Sequence, residues 1–350
     1  DYEAITTLFS LAVMLTGAAA VSPSLLFAPL SDTLAEVTAA RPTGWQLACI
    51  PLASSAALLA LALSPSIIPS IFLCTSLVSS CVAWYLICTG LIALAGRRAT
   101  AAGTPPSAAY VGNTPPLVPS CLSTTTRLLV ATMSTVPALV YLTSGGRHGG
   151  NVVGASLVVA SSLSLRLPSL RLAAALLLAL LVYDVFWVFG SELLWGHNVM
   201  VEAARKEGSS PVRALGMGGP ATLPLPIKLV VEPLMLGLGD MAIPAMLSAY
   251  ARRVDDSFHS HVRHLRTLFP ASMVGYAIGL AAAFYAAFAA RLAQPALLYI
   301  VPSQLLVVSL VAWRSGCFST VWQGSFEEKE KRGEDEEGVD SHVRSTATIV

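Results

Sequence analysis

Charge is scarce in this chain. Asp, Glu, Lys and Arg make up 12% of its 350 residues, about half the share usual in soluble domains. The net charge of +1 gives no support for a nucleic-acid partner. Aromatic residues are scarce as well, at 7%. The six cysteines include no CxxC pair, so their spacing indicates neither a thiolate metal site nor a dithiol motif. Cys74, Cys81 and Cys88 share a heptad face and read as small apolar residues at a helix contact. His259, His261 and His264, in HSHVRH, have no Cys or acidic cluster to complete a metal site and read as an exposed loop. No internal repeat is present.

Apolar sequence is what the chain has in abundance. Hydrophobic residues reach 55% and the mean hydropathy is +0.69, which excludes an ordinary soluble domain and indicates a polytopic membrane protein. A spanning helix needs about 20 apolar residues. Nine stretches fit: 4–27, 45–64, 70–95, 128–144, 151–167, 172–194, 228–250, 269–290 and 295–313. The fifth is short and Ser-rich. The expected fold is therefore all-α, with about nine transmembrane helices.

Lys and Arg concentrate in cytoplasmic loops. Placing the N-terminus in the lumen and the C-terminus in the cytosol puts 15 of the 21 basic residues on the cytosolic side. Three parts follow. Residues 1–167 hold helices one to five, with a flexible Pro/Thr/Ser-rich loop at 96–127. Residues 168–315 hold helices six to nine, with a lumenal loop at 195–227 whose GMGGPATLPLP string excludes a simple helix. Residues 316–350, containing EEKEKRGEDEEG, form a charged cytosolic tail too polar to fold. The chain begins at Asp1 instead of Met, so upstream residues are expected.

Of eight aspartates only Asp184, in LVYDVFWVFG, and Asp240, in MLGLGDMAIP, fall deep in apolar stretches. Asp255 and Asp256 read as loop residues. Glu232 lies eight residues before Asp240, about 12 Å along a helix, near the lumenal interface. A carboxylate at membrane depth is costly and marks a functional site by default. Two held together cannot both ionise, so the pair shares a proton and contains a base and an acid at once. That is the apparatus of an aspartic protease, in which one carboxylate draws a proton from water while the other carboxyl bonds the scissile carbonyl. A polar interhelical contact or an ion-translocation site stays open at this point.

Local strings narrow the choice. Gly237 and Gly239 remove side chains beside Asp240, which admits another backbone. Gln294-Pro295-Ala296-Leu297 places a proline at a helix start. Tyr183 could either bond a neighbouring carboxylate or pack as an aromatic. Trp187 reads as packing and His197 as an interfacial residue.

Tyr183-Asp184, Gly237-Leu238-Gly239-Asp240 and Pro295-Ala296-Leu297, in that order on the sixth, seventh and ninth spans, resemble the GxGD intramembrane aspartyl proteases, the family of presenilins and signal peptide peptidases. YDVFWVF, NVMV and AQPALLYIVP, with the lumenal N-terminus, favour the signal peptide peptidase side. The eight-residue spacer GSELLWGH and the strings LRLPSLRL, LPIKLV and FPASMVGYAIG are most similar to the signal peptide peptidase-like 3 branch. The clear similarity covers about 163–313.

This resemblance implies Asp184 and Asp240 as catalytic residues, with Tyr183, Gly237, Leu238, Gly239, Gln294, Pro295, Ala296 and Leu297 supporting the site. It implies no metal, no organic cofactor and no nucleic acid. The expected partners are the lipid bilayer and single-span type II membrane proteins such as glycosyltransferases, or signal peptides; a homo-oligomer is left open. The expected location is the Golgi or the endoplasmic reticulum, and part of 210–230 is expected to offer a strand edge to an unwound substrate. Two further readings stay open: clearance of remnant signal peptides in the endoplasmic reticulum, and a non-proteolytic membrane-protein binder or cation transporter that uses the Asp pair.

Overall fold

A computed structural model describes residues 2–27, 44–63, 67–101, 124–196, 199–211, 216, 220–231, 234–257, 267–290 and 294–324. The chain is predominantly helical. In order come α1 (Tyr2–Phe27), α2 (Gly44–Leu63), α3 (Ile67–Ala101), α4 (Thr124–Ser144), α5 (Arg147–Ser164) and α6 (Leu170–Val185). A π-helical turn (Phe186–Gly190) and α7 (Ser191–Trp195) continue α6. Then follow α8 (Val199–Arg205), α9 (Gly239–Ser257), α10 (Leu268–Ala290), α11 (Leu297–Arg314) and α12 (Phe318–Gln323). Between α8 and α9 lie four short strands, β1 (Glu207–Ser209), β2 (Thr222–Pro224), β3 (Lys228–Val231) and β4 (Leu234–Gly237).

Each of the nine apolar stretches overlaps a helix, and the protein is an integral membrane protein of helical fold. Among the described residues five helices are both long and apolar enough to cross a bilayer, in the segments Ile67–Ile92, Thr125–Ser144, Leu170–Trp195, Leu268–Ala290 and Leu297–Arg314. Their outer faces carry exposed Val, Leu, Ile and Phe, as lipid contact requires.

The seventh stretch differs from expectation. Residues 228–231 and 234–237 pair as antiparallel strands, with Lys228 opposite Gly237 and Val231 opposite Leu234, and the helix begins only at Gly239. KLVVEPLMLG is continuous enough in hydrophobicity to pass for a helix. However, Pro233 cannot donate a helical bond, and two glycines flank Leu238. Glu232, and with it the 12 Å helical separation expected from Asp240, lies outside the described residues. β1 and β2 form a second antiparallel pair, with Gly208 opposite Leu223.

Other boundaries move too. α3 runs on to Ala101 and α4 resumes at Thr124, so both ends of the expected 96–127 loop are helical. In the expected tail, α12 docks onto the bundle: Tyr250 of α9 donates its hydroxyl to the Val321 carbonyl at 2.6 Å. The HSHVRH histidines, His197 and the acidic tail lie outside the described residues. Cys74 is exposed and Cys81 and Cys88 are half-buried, with Cys81 packed against the buried cluster that holds Tyr141 and Val153.

Asp255 is a further correction. It sits in the last turn of α9, only 4% exposed, and its carboxylate accepts the N–H groups of Leu268 (3.1 Å) and Phe269 (2.8 Å). It thereby satisfies two donors at the start of α10 that have no partner within their own helix.

α9, α10 and α11 are tied by both packing and polar contacts. A Cβ at Gly275 would lie 2.7 Å from the Cα of Gln304, and one at Gly279 2.5 Å from the Cα of Ile300. Only glycine lets α10 approach α11 so closely. The buried Gln304 Nε2 lies within hydrogen-bond distance of Ser272 Oγ (2.9 Å), Ser248 Oγ (3.1 Å) and the Pro244 carbonyl (3.1 Å). Each interhelical hydrogen bond of this kind contributes about 0.5–2 kcal/mol in a bilayer.

Candidate active site

Asp184 lies in the last turn of α6, where the 3.6-residue period turns it inward with Leu177 and Leu180. It is 5% exposed. Its Oδ2 accepts the backbone N–H of Leu297 at 3.2 Å. Leu297 is the first residue of α11, and Ala296 precedes it in helical conformation. The Pro295-Ala296-Leu297 segment thus presents an otherwise unsatisfied helix-start donor to the carboxylate. Pro295 is buried, and its carbonyl accepts the N–H of Leu298.

Asp240 is carried by α9. β4 runs directly into Gly237-Leu238-Gly239, and Asp240 occupies the first turn of α9, where the helix dipole favours an acidic group. The Gly237 N–H donates to its carboxylate. A Cβ at position 237 would stand 3.1 Å from Asp240 Oδ2, so a larger residue would press on the carboxyl. Leu238 packs against Gly154 of α5, where an added Cβ would lie 3.2 Å from it.

Both carboxyls face one cavity of about 540 Å³ and lie within electrostatic reach of each other. Gly237, Leu238, Gly239, Gln294 and Ala296 line the same space, as do Met200, Met235, Leu280 and Phe284. Its wall is chiefly apolar, as suits a hydrophobic segment of chain. Tyr183 is half-buried beside Asp184, with its ring 6.5 Å from that of Trp187. Trp187 is packing, as expected: it is buried, stacks on Trp195 at 5.8 Å and donates Nε1–H to Ser55 Oγ at 3.1 Å.

The sequence-based reading missed three contributors. Arg205 and Lys228 bring two cations to the cavity wall. Asn151, on α5, holds the outer side of β3. LPIKLV carries Lys228, but nothing in a charge count separates a cavity lysine from a loop lysine. Asn151 meets its partner 79 residues away, beyond the reach of any local pattern.

The sequence profile of the family described as signal peptide peptidase matches residues 37–328. The chain is 39% identical over 231 residues to signal peptide peptidase-like 1 of Arabidopsis thaliana, covering 56% of this chain and 61% of that protein. Against signal peptide peptidase-like 1 of Oryza sativa subsp. japonica it is 35% identical over 244 residues, with 60% and 66% covered. Against signal peptide peptidase-like 2B of Rattus norvegicus it is 37% identical over 171 residues, with 46% and 28% covered. The chain thus spans less than two thirds of the length of the curated relatives it matches.

Proposed function

The chain belongs to the signal peptide peptidase family, and from that premise we propose that it is an intramembrane aspartic endopeptidase with Asp184 and Asp240 as its catalytic pair. The observation that carries this reading is the convergence of both carboxyls on one apolar cavity, with Leu297 holding one and Gly237 the other.

The chemistry follows from two carboxyls that share one proton. The ionised member takes a proton from a water molecule as its oxygen attacks the scissile carbonyl carbon. The protonated member gives its proton to the carbonyl oxygen, and a tetrahedral diol forms with no covalent enzyme intermediate. Collapse returns a proton to the amide nitrogen and breaks the C–N bond. The Leu297 and Gly237 N–H groups hold the two carboxylates in place and do not themselves react.

A helical substrate hides its peptide carbonyls in its own hydrogen bonds, so it must unwind first. The hairpin beside Asp240 offers it backbone groups in exchange. Strand addition supplies main-chain bonds, and the cavity receives alternate side chains. The strand edge expected within 210–230 extends in this reading to β4, which leads into Asp240.

The branch resemblance favours single-span type II membrane proteins of the Golgi, glycosyltransferase-like, with the N-terminus of the protease lumenal. Clearance of remnant signal peptides in the endoplasmic reticulum would use the same apparatus. Cation transport through the Asp pair fits less well, because Arg205 and Lys228 would face the ion inside the cavity. The discriminating test offers a type II single-span reporter and a signal-peptide reporter to the same membrane preparation. Release from the first alone supports the type II assignment, and release from the second alone overturns it.

A further inference from the structure

A two-stranded ribbon has two outer edges, and either can recruit another strand. In this hairpin the outer edge of β3 is closed by a side chain. Val230 of β3 donates its N–H to Asn151 Oδ1 at 2.9 Å, and its carbonyl accepts from Asn151 Nδ2 at 2.8 Å. The side-chain amide thus occupies both backbone groups of one residue, as a neighbouring strand would.

The opposite edge follows from the register. Leu238 donates to the Ile227 carbonyl, so that pair is hydrogen-bonded across the ladder. Bonded and non-bonded pairs alternate in an antiparallel ladder. The pair Val230 and Met235 is therefore non-bonded, and Met235 turns its N–H and carbonyl away from β3. Met235 is 56% exposed and lines the cavity. Two residues on, at the same edge, the Gly237 N–H reaches the Asp240 carboxylate. The open edge of β4 therefore leads to the acid.

We propose that Asn151 is a positioning residue: by closing the outer edge of β3 and fixing the hairpin to α5, it directs the unwound substrate to the outer edge of β4 in a single register. This rests on the reading that substrate is cleaved after adding as a strand. A strand that slips by one residue turns every side chain to the other face, so register decides which peptide bond meets the carboxyls.

The test uses the full chain reconstituted in lipid vesicles with a single-span substrate, and mass spectrometry of the product ends. Asn151→Ala is expected to spread cleavage over neighbouring bonds and to lower kcat/KM about tenfold, mainly through KM, since two hydrogen bonds are lost. Asn151→Asp keeps the acceptor and removes the donor; it is expected to spread the ends as well, and it serves if the alanine variant does not fold. A photocrosslinking amino acid at position 235, in an Asp240→Asn background that binds without cutting, is expected to capture the substrate. Product ends and KM unchanged in both Asn151 variants, with activity falling only in proportion to folded protein, would overturn the role of Asn151. Failure of position 235 to crosslink would overturn the strand reading and the proposal with it, whereas no cleavage by the unmodified chain would overturn proteolysis itself.

Discussion

The N–H of Leu297 donates to Oδ2 of Asp184 across 3.2 Å, joining the start of α11 to the end of α6. The Pro295-Ala296-Leu297 string is thereby a carboxylate holder, and its Ala296 also lines the cavity. Because the donor is a backbone group, its position depends on how α11 is seated, and α11 is seated by the glycines of α10.

Gly279→Ala tests that dependence. The added methyl must displace α11 from Ile300, and overpacking of this kind costs about 1–3 kcal/mol. Thermal unfolding in detergent is expected to come earlier, and cleavage per folded molecule to fall, because the Leu297 donor shifts. An unchanged rate per folded molecule would separate helix seating from the site.

Gly237→Ala acts at the second carboxyl. Its Cβ would stand 3.1 Å from Asp240 Oδ2, tighter than the carboxyl tolerates without moving. The fold should persist, since position 237 closes a strand and is not buried in a helix contact. Cleavage of a single-span substrate is expected to fall by at least about tenfold, the effect of misplacing one acid–base group.

Asp255→Ala separates stability from chemistry. It leaves the N–H groups of Leu268 and Phe269 without their carboxylate, a loss of about 1–3 kcal/mol. The unfolding midpoint is expected to drop while the product ends stay where they are. Shifted product ends would mean that the α9–α10 joint also governs substrate register.

A proton shared by two carboxyls gives a rate that rises and then falls with pH. Initial rates across an acid-to-neutral series, measured in vesicles, should trace that bell shape. A rate that climbs steadily to alkaline pH would exclude the shared proton.

Much of the helical frame was legible because its signals are physically strong. A run of twenty apolar residues has few soluble uses, and aspartates such as Asp184 and Asp240 stand out against it. The π-helical turn after Asp184, the paired strands at 228–231 and 234–237 and the buried Asp255 were not legible. A short apolar run such as KLVV fits a strand as well as a helix. Asp255 reads as solvated because its donors, Leu268 and Phe269, lie 13 and 14 residues ahead. FPASMVGYAIG carries the two glycines of the α10–α11 contact, yet the sequence does not reveal that Gln304 and Ile300 lie against them.

The most direct measurement is release of a tagged lumenal domain from a single-span type II reporter by the unmodified chain, by Asp184→Ala and by Asp240→Ala, at equal expression. The expected result is release by the unmodified chain and a loss of about a hundredfold or more in both variants, since each removes one half of an acid–base pair. Release that persists in either variant would contradict a catalytic pair made of Asp184 and Asp240.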